Sequence, residues 1–338
     1  MMNSVELVMI VAIAAAVSAG IILVLLPLLR RYALAHPNSR SSHHKSTPQG
    51  GGIAVVVATV AVATGALAIG LREVALDPAW LWPVFSATVL ITLVGAVDDI
   101  RTIEVAPRLL LQTIAVAIMI AGLPTELRAL PMLPWWIERA LEALACLWFV
   151  NLTNFMDGID WMTVAEFVPI AIGLTLIGLL GGLPIEAVVI ALALCGGLIG
   201  FAPFNRPVAR IFLGDVGSLP IGLLFGWQLV LLAGNGYLAA ALVLPLYYVA
   251  DATLTLLRRV VNREPFWHAH RTHFYQRATT RGYRVPEIVA RVFATNFALV
   301  ALAVASVSWP GALSAGVALG GGALLVGWLL YCFARGRS

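Results

Sequence analysis

Charge and cysteine are what this chain has least of. Of 338 residues only 11% are charged, while 61% are hydrophobic; an ordinary soluble domain carries roughly 25% charged residues. Scarcity of this degree excludes a soluble enzyme, a disordered regulator and a nucleic-acid binder reading through a basic face, so no nucleic-acid partner is expected. The three cysteines, Cys146, Cys195 and Cys332, lie in apolar stretches with no metal-ligand or CxxC spacing. That argues against a disulfide framework and a zinc site, and they read as small core residues.

What is present in abundance is apolar length. Residues 7 to 29 are nearly all apolar, too long for a cleaved leader. The flanking charges are also reversed for one, with Glu6 before and Arg30 and Arg31 after, so the segment reads as a permanent span. At about 20 apolar residues per crossing, the chain divides into about eleven spans: 5–29, 51–70, 79–97, 108–124, 135–152, 163–180, 184–201, 217–234, 237–257, 288–308 and 311–334. The expected fold is an all-α polytopic membrane protein, one helical bundle over residues 1–338 in contact with membrane lipids. Of 21 Lys and Arg, all but Arg72, Arg128 and Arg139 fall in the loops after odd-numbered spans or in the C-terminal tail. The positive-inside rule therefore places the N-terminus outside and the C-terminus in the cytoplasm.

Reactive residues follow the basic ones. Asp98, Asp99, Asp157, Asp160, Asp215 and Asp251 all sit at or near the cytoplasmic ends of spans, and only Asp77 lies on the other side. Five cytoplasmic loops, at about 30–50, 98–107, 153–162, 202–216 and 258–287, hold the chemistry. The first carries Arg40, His43 and the run Pro48-Gln49-Gly50-Gly51-Gly52, which reads either as N–H groups at a helix start suited to an anion or as a flexible basic turn. Asp98 and Asp99, side by side at a helix end, point about 100° apart and are expected to do different jobs, one as a base or metal outer-shell group and one paired with Arg101 or Arg108. The third loop, Asn151-Leu152-Thr153-Asn154-Phe155-Met156-Asp157-Gly158-Ile159-Asp160-Trp161, contains no Lys or Arg. Its acids lack a local partner, and its oxygens suit a hard cation such as Mg²⁺. In the fourth, Asp215 lies between Gly214 and Gly217, with Ser218 beyond, where a metal ligand and phosphate-facing N–H groups can coexist. In the fifth, His268, His270 and His273 alternate with Arg271 and aromatics, a composition suited to a phosphorylated substrate. Asp251, about two turns inside the ninth span, needs a partner and is a candidate to orient a basic residue of that loop.

Two other classes compete with an enzyme. A transporter or flippase predicts polar mid-span positions, broken helices and often an internal repeat; here mid-span positions read as almost wholly apolar and no repeat is evident. A non-catalytic scaffold leaves five loop aspartates without a purpose.

In this order and on these spans, the five loops resemble the polyprenyl-phosphate N-acetylhexosamine-1-phosphate transferase family, whose members begin peptidoglycan, O-antigen and related glycans. The resemblance rests on Asp98-Asp99, Asn151-x-x-Asn154-Phe-Met-Asp157-Gly-Ile-Asp160, Phe212-x-Gly214-Asp215-x-Gly217-Ser218 and His270-Arg271-x-His273, supported by Arg40-Ser-x-His43 and Pro48-x-Gly-Gly-Gly. It covers essentially the whole chain. It implies a transfer of sugar 1-phosphate from a UDP-sugar to undecaprenyl or another polyprenyl phosphate, releasing UMP, dependent on Mg²⁺ with Mn²⁺ as a substitute. Carried over by position, Asn154 and Asp215 hold the metal, Asp160 and Phe212 contact uracil, and Arg108 meets the substrate phosphates. His270, Arg271 and His273 belong to the pyrophosphate and sugar side, and Arg40 and His43 are further substrate-binding candidates. Asp98 and Asp99 match an aspartate pair assigned as base or lipid-phosphate site, with Asp157 a third catalytic candidate. Direct attack by the acceptor phosphate is preferred over an aspartyl-phosphate intermediate. The resemblance also implies a bacterial plasma-membrane location with the site on the cytoplasmic face, and is compatible with a homodimer. Two departures stand out. Trp161 follows Asp160 where the family often has glycine, and there is no consecutive triple-histidine run, which draws the chain toward the O-antigen-type branch using N-acetylated amino or deoxyamino sugars.

Overall fold

A computed structural model describes residues 3–35, 47–70, 81–264 and 270–337. In chain order the elements are α1 (Ser4–Tyr32), β1 (Leu34–Ala35), β2 (Thr47–Pro48), α2 (Gly52–Gly70), α3 (Leu81–Ile100), α4 (Val105–Ala121), α5 (Trp135–Met156), α6 (Met162–Leu179), α7 (Ile185–Phe201), α8 (Asp215–Leu232), a π-helical turn (Ala233–Tyr237), α9 (Leu238–Val243), α10 (Leu246–Val261), α11 (Phe274–Thr280), α12 (Val285–Ser308) and α13 (Ala312–Arg335). The protein is an all-α polytopic membrane protein. Among the described residues seven helical stretches are long and apolar enough to cross a bilayer, and Val105–Ala121 and Ile185–Phe201 are shorter apolar helices.

From Val216 to Leu232 helix α8 is buried on every side and apolar but for Ser218 and Gln228, as expected of a helix with no face toward solvent or lipid. It is packed by α3 and α5, with α2 and α9 alongside; α7 forms a second centre against α1, α2 and α6. Glycine sets the closest of these approaches. A Cβ at Gly196 would lie 2.4 Å from the Val11 carbonyl oxygen, and one at Gly200 would lie 2.3 Å from that of Ala15. Spaced four apart on one face of α7, they let its backbone meet that of α1, the small-residue packing that bilayers favour.

Two sequence expectations need correction. The segment 237–257 is not one helix: α9 ends at Val243 and α10 begins at Leu246, with Pro245 between them. Proline has no N–H to continue the ladder and its ring clashes with the preceding turn. Nor is the interior wholly apolar. Asn296 in α12 donates to Glu166 Oε2 in α6 at 2.7 Å and to the Ala165 carbonyl at 2.9 Å, and both Glu166 and Asn296 are fully buried. This polar seam passes from α12 through α6 to α10, where the Tyr248 N–H points at Glu166 Oε1 from 3.4 Å. Periodicity conceals it, since its members are far apart in sequence.

At the end of the bundle away from the motifs, the 122–134 connection is bound to α5. Glu138 accepts the Ala129 and Leu130 N–H groups at 2.6 and 2.9 Å and an Arg128 N–H. Arg139 pairs with Glu142 at 2.7 Å and donates to the Pro124 and Leu127 carbonyls at 2.8 and 2.6 Å. Two of the three basic residues assigned to that side are thus structural.

Candidate active site

The motifs converge at one end of the bundle, and helix termini supply most of their side chains. Asp98 and Asp99 lie in the last turn of α3, Asn154 in that of α5 with Asn151 one turn earlier, and Asp215 opens α8. The asparagines are therefore helical, not part of a loop beginning near 153. Arg40 and His43 lie outside the described residues.

Adjacent on one helix end, the two aspartates diverge as their angular separation requires. Asp98 turns toward α4: its Oδ1 accepts the Ile103 N–H at 2.6 Å and its Oδ2 an Arg108 Nη1 bond at 2.9 Å. The pairing foreseen with Arg101 or Arg108 is with Arg108. The same Nη1 stands 3.8 Å from Asp215 Oδ2, so one guanidinium faces both acids. Asp99 turns the other way. Its Oδ1 accepts the Asp215 N–H at 2.9 Å and its Oδ2 the Val216 N–H at 3.1 Å. Gly214, the residue before α8, contributes no side-chain cap, so Asp99 caps α8 from another helix. The geometry demands glycine at 214, which has φ +78; a Cβ there would lie 2.4 Å from Asp99 Oδ2.

These bonds revise two sequence readings. The first N–H groups of α8, read as facing a phosphate, are taken by the Asp99 carboxylate. The Gly51 and Gly52 N–H groups, read as either an anion site or a flexible turn, donate to the Phe212 and Leu213 carbonyls at 2.9 and 2.8 Å. Phe212 N–H in turn donates to the Pro48 carbonyl at 2.8 Å, so the glycine run fastens the first loop to the fourth. Gln49 adds a bond to the Asp99 backbone carbonyl at 2.6 Å.

Asn154 Nδ2 lies 2.7 Å from Asp215 Oδ1 and 3.0 Å from Ser218 Oγ. An asparagine amide presents oxygen on one side and nitrogen on the other, with its orientation assigned from neighbours; turned over, it adds an oxygen to those of Asp215 and Ser218. Among the described residues no three His, Cys, Asp or Glu side chains converge on a metal position. Two or three hard protein oxygens, with the Asn154 and Asp215 side chains part-exposed, are the donor set that Mg²⁺ shares with water and substrate phosphates, so these residues fit the ion implied by the sequence resemblance.

The acids of the third loop find partners outside it. Asp157 Oδ1 accepts a bond from Thr163. Burial, together with the charges of Asp160 and Asp99, pushes its carboxyl up to about 7. Asp160 accepts the Ala209 N–H of the fourth loop at 2.9 Å. Trp161 adopts φ +65 and ψ 0, a left-handed conformation that glycine enters at no steric cost. Here the tryptophan is held there by its N–H on Asn205 Oδ1 at 2.8 Å and its indole Nε1 on the Ala202 carbonyl at 2.6 Å.

From the fifth loop, His273 is buried while Arg271 is exposed. The rings of His270 and His273 lie 5.1 Å apart between centroids, and His270 Nδ1 is 3.0 Å from Thr272 Oγ1. Sequence reasoning missed Thr163, Asn205 and Tyr275. Tyr275 alone left a trace, as one of the aromatics interleaved with the histidines.

Comparison with known proteins adds to this geometry. The family model described as glycosyl transferase family 4 matches residues 81–233. A probable undecaprenyl-phosphate N-acetylglucosaminyl 1-phosphate transferase from Bacillus subtilis (strain 168) is 26% identical over 320 residues, covering 88% of this chain and 85% of that protein. A phospho-N-acetylmuramoyl-pentapeptide-transferase from Leuconostoc citreum (strain KM20) is 34% identical over 242 residues, 66% of this chain and 72% of that one. A decaprenyl-phosphate N-acetylglucosaminephosphotransferase from Mycobacterium tuberculosis (strain ATCC 25618 / H37Rv) is 26% identical over 296 residues, covering 77% and 72%.

Proposed function

The chain belongs to glycosyl transferase family 4, and on that footing we propose that it transfers a sugar 1-phosphate from a UDP-sugar to a polyprenyl phosphate, releasing UMP and forming the first lipid-linked sugar of a cell-envelope glycan. The observation that carries this reading is the meeting of Asn154, Asp215 and Ser218 with Arg108 and Asp98 at the end of the bundle where the five loops gather.

Phosphoryl transfer asks for positioning and charge neutralisation more than for covalent help. An oxygen of the acceptor phosphate attacks the β-phosphorus of the donor, and the bond from that phosphorus to the bridging oxygen breaks, leaving UMP. Asp215 and Asn154 would hold Mg²⁺, with Mn²⁺ able to replace it, and the bound ion supplies charge neutralisation at the pyrophosphate oxygens. Arg108, oriented by Asp98, faces the same oxygens. His270, Arg271 and His273 bind the donor's pyrophosphate and sugar side, while Asp160 and Phe212 border the nucleobase. Asp157, with its carboxyl near 7, can hold or release a proton at neutral pH. Both oxygens of Asp98 and both of Asp99 already accept hydrogen bonds, which favours direct attack over an aspartyl-phosphate. A phosphorylated Asp98 or Asp99 after incubation with UDP-sugar alone would overturn that preference.

The topology proposed with this function has the N-terminus outside, the C-terminus inside and the site on the cytoplasmic face of a bacterial plasma membrane, supported by the bias of Lys and Arg toward one set of loops. Reporter fusions after Arg31 and after Arg337 test the orientation, and crosslinking in membranes tests for a homodimer. The decisive assay uses purified protein, undecaprenyl phosphate, Mg²⁺ and a panel of N-acetylated and deoxyamino UDP-sugars, scoring UMP. No UMP from any donor removes the transferase reading.

A further inference from the structure

Asp251 lies in α10, fully buried, and takes no part in the reaction derived above. Its Oδ1 accepts the Phe274 N–H at 2.9 Å, and its Oδ2 accepts the Tyr275 N–H at 3.1 Å. His273, the residue before α11, caps nothing with its own side chain, so an aspartate from α10 closes the start of this short helix. Thr255 Oγ1, one turn along α10, supports the same carboxylate at 3.3 Å. His273 Nδ1 stands 3.3 Å from Asp251 Oδ1, within ion-pair range though off the line of a hydrogen bond.

The other end of this arrangement is Tyr275. Its hydroxyl donates to the Phe155 carbonyl at 3.1 Å, in the turn between Asn154 and Asp157. Its ring stacks beside that of His273, with centroids 5.9 Å apart. Gly158 makes room for it, since a Cβ there would lie 2.2 Å from the hydroxyl. Arg258 holds the approach to α11 from the same side as Asp251, donating to the Thr272 carbonyl at 2.9 Å.

We propose that Asp251 and Tyr275 form a single bracket that positions the 270–273 histidine segment against the 154–157 turn, and that both are positioning residues for donor binding. The assignment rests on the transferase reading, because it gives the histidine segment its ligand. Neither residue touches substrate; each acts through His273 or through the turn that carries Asn154.

The test uses full-length protein and the variants Asp251→Asn, Tyr275→Phe and their double, with UDP-N-acetylglucosamine and undecaprenyl phosphate as probes. Tyr275→Phe keeps the ring and removes the hydroxyl, with its bond to Phe155 and its contacts with the Gly158 backbone and the Gln276 side chain. It should lower kcat/KM for the donor by about tenfold or more, the scale on which small misplacements act, with the KM for undecaprenyl phosphate and the melting temperature unchanged. The double variant should be no worse than the more impaired single, since both cut one linkage. Effects that multiply, or wild-type kcat/KM in folded Tyr275→Phe, overturn the bracket. Hydrogen exchange gives a readout that needs no turnover: amides of 270–276 should exchange faster in Tyr275→Phe, and unchanged protection overturns the bracket even if the wild type releases no UMP. Should Asp251→Asn fail to fold, Tyr275→Phe carries the test alone.

Discussion

The carboxylate of Asp99 receives the backbone N–H of Asp215 at 2.9 Å, across 116 positions of sequence, and thereby fixes where the helix bearing Asp215 begins. The two acids meet end to backbone, so Asp215 keeps its own carboxylate for Asn154 and Arg108. A negative charge at a helix N-terminus also suits the dipole there.

Asp99 should therefore behave as a cap. Asp99→Ala is expected to cost about 0.5–2 kcal/mol of stability, the usual range for a lost N-cap, and Asp99→Asn, which keeps one acceptor oxygen, less. Thermal unfolding in detergent measures both. If either variant loses all activity at wild-type stability, Asp99 acts chemically and not as a cap.

Asp215→Ala and Asn154→Ala should abolish UMP release while leaving the protein folded, as both side chains are only partly buried. Chelation should stop wild-type turnover, and added Mg²⁺ or Mn²⁺ should restore it. Full activity after exhaustive chelation would exclude the metal.

Arg108 faces Asp98 and Asp215 together, and in the proposed reaction its guanidinium faces the substrate phosphates. Arg108→Ala should reduce kcat by about 10²-fold or more, the scale of a lost electrostatic donor. Arg108→Lys should recover only part, because a point charge does not reproduce a planar fork. A kcat within about twofold of wild type in Arg108→Ala would place the guanidinium outside the reaction.

Asp157 predicts a pH dependence of stability. Its carboxyl moves from an ordinary 3.8 to about 7 on folding, so between those values the folded chain binds a proton that the unfolded chain has lost. Stability from this group is present below 3.8, declines as pH rises toward 7 and is level above. Asp157→Asn should remove that decline. Parallel stability-versus-pH curves for the two proteins would contradict the shift.

Much of the site was legible in the sequence because its residues cluster in short motifs at the ends of apolar runs. Asp98, Asp99, Asn154, Asp157, Asp160 and Asp215 do meet at one end of the bundle. What stayed hidden depends on partners distant in sequence. Nothing near Asp99 announces that it caps a helix starting at Asp215, and the N–H groups of Gly51 and Gly52 look free until the carbonyls of Phe212 and Leu213 are seen to occupy them. Trp161 is a different case. Its left-handed backbone explains why glycine suits this place, and the bonds from Asn205 and Ala202 show how a large residue is tolerated. Pro245 was visible in the sequence, yet apolar length outweighed it in assigning a single span. The pairing of Glu166 with Asn296 could not be found by periodicity, which reports on one helix at a time.

The cap that α3 supplies to α8 has a consequence for how the molecule assembles. Insertion of α8 into the bilayer and its docking against α3 are separate steps in the general scheme for helical membrane proteins, and until the second is complete the first N–H groups of α8 have no protein partner. The end of the bundle that holds the candidate site is thus finished by helix association and not by helix formation. Amide protection at Asp215 and Val216 should appear only once α3 has docked, and two fragments divided in the 122–134 connection, each carrying one half of the cap, should regain that protection only when mixed.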